Sequence, residues 1–349
     1  MSDRDPNIAP RQAGRGTLLW LAIVAVAAVG AGYVGRGLAP PSRTPGAPGR
    51  AIVQIIRQPT FPSLAPAIDR LCPAIARIDS GNGSPGAIQG AAFAVSADGW
   101  LVAAAPLPNS SGLQATFGDG RKAAIDEVRT DPVSGLALAH ADVTGLTPAT
   151  ISDQAFARVG DFGFSLQTSG TGCAAQESMI GSDFLVDALA QGTYIRMQPG
   201  TPPLAPGSPF FGADGTVLGV ATSGGGGSLL PGPIAAVIVD ELIRDNLSPI
   251  ASFGFRAIDF TPDLAARTGD PRARGAGVAL VQPGSAAARG GLRAGDVVIA
   301  VNDQPVSSAS ELSRALDAVV ASATLRIVRN DQQLTIEVSR SVRKVPAAT

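Results

Sequence analysis

Three Asp-Gly pairs, at 98–99, 119–120 and 214–215, each stand between two short apolar runs. Asp-Gly suits the positive φ angles that a tight hairpin turn needs, so each pair predicts strand, turn and antiparallel strand. The flanking runs, among them FAVS, WLVAA, LQATF, FFGA and TVLGVAT, belong to a series of short apolar segments broken at near-regular spacing from Ile78 to about Val220. Such a series predicts an all-β sandwich or barrel, or a pair of them. Composition points the same way: 42 Gly and 28 Pro with 5% aromatics suit many turns, and 45% apolar against 16% charged residues is the balance of a folded chain. With 349 residues the chain exceeds what one core usually fills, which predicts two or three domains. A net charge of −1 gives no electrostatic basis for nucleic acid as a partner.

The flanks of this β-rich region read differently. No residue from Gly16 to Gly35 is charged, and Arg15 and Arg36 bracket the run. That is the length a helix needs to span a bilayer. It predicts a cytoplasmic N-terminus (1–16), an uncleaved transmembrane anchor (17–35) and an extended Pro/Gly linker (36–52). Arginines are balanced on the two sides, so charge does not set the orientation. Leu64, Ile68 and Leu71 predict a short helix that Pro73 stops, and Ala235–Ile243 predicts a closing helix. A second unit begins near Ala251, with strands SFGFRAIDF, GVALVQP, LRIVRN and LTIEV around a helix. Ser308 and Glu311 have capping-box spacing, and Leu312, Ala315, Leu316 and Val319 form one apolar stripe behind them. The last residues, 343–349, read as a tail.

Residues 284–306, GSAAARGGLRAGDVVIAVNDQPV, resemble the heart of a PDZ domain of the bacterial protease type. Upstream, GAAFAVSADGWLV (90–102), VRTDPVSGLALA (128–139) and FFGADGTVLGVAT (210–222) resemble the trypsin-like domain of the HtrA serine proteases. The resemblance covers roughly residues 60–340. It implies a mainly β chain: a trypsin-like double β-barrel (53–248) and an α+β PDZ domain (249–342), preceded by one N-terminal transmembrane helix. Carried over residue by residue, the family's Ser-His-Asp triad falls on Pro106 for the histidine, Gly135 for the aspartate and Pro206 for the serine. None can do the chemistry, because a serine needs an adjacent base and an oriented imidazole. The expectation is therefore a protein that is not an enzyme, a pseudoprotease.

The rest of the sequence offers little to replace the triad. His140 is the one histidine, and its position corresponds to a strand beyond the aspartate motif. Ser208 lies two residues from the expected nucleophile, but Pro206 removes an oxyanion N–H. Lys122 and Lys344 do not suggest a Ser-Lys pair. Two cysteines and one histidine do not make a zinc site, so neither metal nor cofactor is expected. Cys72 and Cys173 could form a disulfide if the folded part faces the periplasm, and are otherwise small buried residues.

In the PDZ resemblance, Phe253, Gly254 and Phe255 match the carboxylate loop, and Leu312, Ala315 and Leu316 form the opposite wall. Peptide would add there as a strand. The expected role is capture of C-terminal peptides or unfolded envelope proteins, as adaptor, chaperone or regulator in protein quality control. It would act at the bacterial inner membrane with its domains in the periplasm. The family's trimers imply a homotrimer, or a structural subunit in a hetero-oligomer with an active paralogue. The alternative is a serine-type endopeptidase with a displaced active site.

Overall fold

In a computed structural model of the chain, residues 63–80, 88–104, 107, 112–153, 156–187, 192–222, 228–268 and 274–340 are described. The anchor expected at 17–35 and the linker at 36–52 lie outside them. Among the described residues, no helix is long and apolar enough to cross a membrane.

Helix α1 (Ala65–Leu71) has proline in its first turn, where no backbone donor is needed, and runs into a single 3-10 turn, Cys72–Ala74, with Pro73 inside it. Six strands follow: β1 (Ile75–Ser80), β2 (Ile88–Ala94), β3 (Trp100–Ala104), β4 (Leu113–Phe117), β5 (Lys122–Thr130) and β6 (Leu136–Ala141). They close into a barrel in the order β1-β2-β3-β6-β5-β4. Buried alanines on facing strands bring the walls close, and Ile78, Leu101 and Phe117 fill what remains.

A second set repeats the plan: β7 (Phe162–Ser169), β8 (Gly172–Asp187), β9 (Gly192–Met197), β10 (Pro209–Gly212), β11 (Val217–Ala221) and β12 (Ser228–Pro231). Their pairings run β7-β8-β9-β12-β11-β10 and return to β7. Both rings thus have the same strand permutation, which makes this a trypsin-like pair of barrels. Each Asp-Gly pair lies in a turn joining consecutive strands, with Gly99, Gly120 and Gly215 all at positive φ. Helix α2 (Gly232–Ile243) buries Ile234, Ile238 and Leu242 in a core shared with Phe164, Phe211 and Leu138. Each such side chain contributes about 1.5–3 kcal/mol by leaving water.

The remaining elements are α3 (Pro249–Ser252), β13 (Phe255–Asp259), α4 (Pro262–Thr268), β14 (Ala276–Val281), α5 (Ala286–Arg289), β15 (Val297–Val301), β16 (Gln304–Pro305), α6 (Ala309–Asp317), β17 (Ser322–Arg329) and β18 (Gln332–Ser339). Ser308 Oγ accepts the Glu311 N–H at 3.2 Å and caps α6. The Glu311 carboxylate reaches back one residue further than a capping box requires, to the Ser307 N–H and hydroxyl at 2.7 and 2.8 Å. A single bridge, Leu280 with Gly192, makes β14 continuous with β9 of the second barrel. Cys72 and Cys173 form a disulfide between the turn after α1 and β8, with Cα atoms 5.8 Å apart.

Candidate functional site

The two motif segments of the first barrel meet where β3 ends. Ala104, the last residue of β3, pairs with Leu136 at the start of β6. The loop that leads into β10 comes from the second barrel and lies against the same place. Ala91 N–H donates to the Pro206 carbonyl at 2.9 Å. Gly207 has φ of +85°, and a Cβ there would lie 2.0 Å from the Ala91 carbonyl oxygen and 3.0 Å from the Ala104 nitrogen. A side chain cannot fit, so glycine is required for the loop to seat between the barrels.

Gly135 occupies a turn held by one carboxylate. The Asp131 carboxylate accepts the Ser134 N–H at 2.8 Å and the Ser134 hydroxyl at 2.5 Å, while Gly135 N–H donates to the Asp131 carbonyl. Gly135 and Pro206 thus lie on segments that the fold brings together, and Pro106 lies outside the described residues. Around Pro206 the neighbouring backbone donors are taken: Gly207 N–H by the Ala221 carbonyl at 2.8 Å and Ser208 N–H by the Ala205 carbonyl at 3.0 Å. Ser208 is fully buried, and its hydroxyl has no hydrogen-bond partner among the described residues. His140 sits at the far end of β6, paired with Trp100. Four residues of strand put it about 13 Å from Leu136. Its Nδ1 faces Asp126 Oδ1 at 2.7 Å and its Nε2 the Asp98 carbonyl at 3.0 Å. Partial burial works against the charged ring, but Asp126 and the Asp98 carbonyl outweigh it, and the His140 pKa is raised.

The expected peptide-binding side chains have a different setting. Phe253, Phe255, Leu312 and Leu316 are all fully buried and belong to the core of the C-terminal unit, with Ala315 packed against it. All of them lie within or against that core. The carboxylate-loop donors also have partners: Phe253 N–H bonds the Ile250 carbonyl at 3.1 Å and Gly254 N–H the Ala251 carbonyl at 2.9 Å, both as part of the α3 C-terminus. A Cβ at Gly254 would lie 2.3 Å from that of Ser285. Among the described residues β13 pairs with β14 alone, which leaves its other edge without a strand partner.

Arg256, the lone charge in the apolar run FGFRAI, has a role that sequence reasoning missed. It is 4% exposed and places Nη2 2.6 Å from Oδ1 of the fully buried Asp131, with Nη1 on Glu241 of α2. Burial acts to discharge the guanidinium, but the two carboxylates prevail and raise its pKa. A charged residue inside an otherwise apolar strand is the signal that could have flagged it, since such a charge must find a partner when buried.

The PDZ domain family matches residues 277–330. Curated relatives named probable periplasmic serine endoprotease DegP-like include one from Chlamydia muridarum, 28% identical over 278 residues (75% of this chain, 55% of that protein). Another, from Halomonas elongata, is 27% identical over 269 residues, covering 72% of this chain and 56% of that protein. This chain therefore spans about half the length of the curated relatives it matches. Among solved structures, the HtrA-type protease AlgW with a decapeptide aligns over 81% of this chain and 100% of its own, at 22% identity and a TM-score of 0.47. The serine endoprotease from Yersinia pestis aligns over 79% and 97%, at 19% identity and a TM-score of 0.48.

These relatives correct one expectation. The substitutions at 106, 135 and 206 led to a protein that is not an enzyme, whereas the proteins matching most of this chain are named serine endoproteases. Losing three side chains shows which groups do not carry chemistry and does not settle whether other groups do. The chain is therefore similar over most of its length to proteins named DegP-like periplasmic serine endoproteases, and its residues 277–330 match the PDZ domain family.

Proposed function

We propose that this chain works in serine-type endoproteolysis of the HtrA kind in the periplasm, with its PDZ domain taking up extended peptide ends. The observation that carries this reading is the reach of the match. Relatives named periplasmic serine endoproteases match 75% and 72% of the chain, and the PDZ family matches residues 277–330. Peptide would add along the free side of β13, where main-chain groups supply the hydrogen bonds. An anchor at 17–35 would hold both domains at the inner membrane.

The reacting hydroxyl in this reading lies away from positions 106, 135 and 206. Ser208 is two residues from Pro206 and is the first candidate. A second reading, in which a catalytic relative completes the site in a mixed oligomer, is favoured by His140. It is the one histidine in the chain, and both of its ring nitrogens are engaged.

The test is hydrolysis of unfolded casein, with fluorophosphonate labelling, by the purified full chain in detergent. Cleavage that disappears in Ser208→Ala assigns the nucleophile. Cleavage that appears only after mixing with an active HtrA-type protease, above that enzyme's own rate, supports the subunit reading. No cleavage in either format overturns the proposal.

A further inference from the structure

We propose that Asp131 and Glu241, both outside the PDZ domain, set the width of its peptide groove and thereby its affinity for peptide. The proposal rests on the reading of β13 as the peptide-binding strand. The two walls of that groove are β13 and α6, and both are tied to the barrels through one connected set of polar groups.

On the strand side, Phe255 and Ala257 turn into the PDZ core, so the alternation of a β-strand sends Arg256 to the opposite face. There its Nε and Nη2 meet Asp131 Oδ1 at 3.2 and 2.6 Å, and its Nη1 meets Glu241 Oε2. On the helix side, the same Glu241 oxygen accepts the Ser248 N–H at 2.9 Å, and Ser248 Oγ lies 3.0 Å from Ser313 Oγ on α6. A separate tie joins the far end of the strand to the start of the helix: Ala309 N–H donates to Asp259 Oδ1 at 2.7 Å. Glu241 is thus the shared anchor of both walls. Asp131 fixes the strand wall and, through its other oxygen, the turn that contains Gly135.

An added strand needs its neighbour at about 4.8 Å and hydrogen bonds near 2.9 Å, so a wall displaced by a fraction of an ångström loses several bonds together. Buried charge pairs are screened little by salt, so this anchor holds at ordinary ionic strength. The same linkage runs in reverse: strand addition at β13 restrains Arg256, and through Asp131 it restrains the turn at Ser134 and Gly135.

The experiment uses the full chain in detergent and a fluorescent peptide with an apolar C-terminal residue, titrated by anisotropy. Asp131→Asn and Glu241→Gln keep the shape of each side chain and remove its charge. Each is expected to weaken binding by about 10-fold or more. Hydrogen exchange on the wild-type chain is the second measurement and needs no variant. Saturating peptide should slow exchange at the Ser134 and Gly135 amides. Folded variants with unchanged affinity, or peptide binding without slower exchange at those amides, would overturn the proposal and leave the peptide reading standing. A wild-type chain that binds no such peptide would overturn both.

Discussion

Gly118 packs directly on Cys72: a Cβ built at Gly118 would lie 2.4 Å from the Cys72 carbonyl oxygen and 2.7 Å from its sulfur, with the Cys173 sulfur at 2.6 Å. The residue that follows β4 therefore meets the disulfide, and it has no side chain. Gly118→Ala is expected to destabilise the fold by about 1–3 kcal/mol through overpacking. It should also lower the fraction of disulfide-bonded protein, measured by mass spectrometry after thiol alkylation. Replacing Cys72 and Cys173 by alanine opens a closed loop with a sequence separation of 101 residues. By chain-entropy reasoning this costs about 4–5 kcal/mol, to be measured as a shift in the urea midpoint.

The Arg256–Asp131 pair makes a larger prediction. Asp131→Ala leaves a guanidinium at 4% exposure with Glu241 alone, and strips the Ser134 turn of its acceptor. Breaking a buried pair in this way costs about 3–5 kcal/mol. The double change Asp131→Leu with Arg256→Met removes both charges and should recover much of that loss. Urea titrations of Asp131→Leu, Arg256→Met and the double variant measure the coupling, and additive effects would show that the pair does not act as a unit.

Ser208 and Ser165 are buried, and their hydroxyls have no hydrogen-bond partner among the described residues. A buried polar group without a partner costs about 1–3 kcal/mol, so alanine at either position should leave stability unchanged or raise it. Thermal unfolding tests this. A Ser208→Ala protein that is as stable as wild type also makes any loss of hydrolysis attributable to chemistry rather than folding.

His140 gives the fold a pH dependence of definite sign. Its pKa is raised in the folded state by Asp126 and the Asp98 carbonyl, in spite of partial burial. Its contribution to stability is complete below the ordinary histidine pKa near 6.5 and is lost as pH rises through the higher folded value. His140→Gln should flatten that part of the stability–pH curve. An unchanged curve from pH 5 to 9 in the variant would show that the ring does not titrate as its partners dictate.

Much of the architecture could be read locally. Asp-Gly turns at 98–99, 119–120 and 214–215, the cap at Ser308 and the PDZ segment from 284 to 306 are encoded within a few residues each. The helices at Ala65–Leu71 and Gly232–Ile243 also follow from nearby prolines and apolar spacing. The side-chain roles were less legible. Phe253, Phe255, Leu312 and Leu316 have the residue types of a binding wall, and equally those of a core, and periodicity does not separate the two. The inference from three missing triad groups to a non-enzyme failed for a related reason: a substituted position is local information, whereas activity belongs to a whole site.

Sequence alone determined where the chain turns, which faces are apolar and which family motifs it carries, because turn chemistry and hydrophobic alternation act over a few neighbouring residues. Tertiary structure alone decided that Arg256 meets Asp131 across 125 positions of sequence, that Gly118 must clear a disulfide, and that β14 joins β9. Those outcomes depend on which distant groups are brought together as water is excluded. A charge or sulfur cannot be assigned a partner until the fold has placed one beside it.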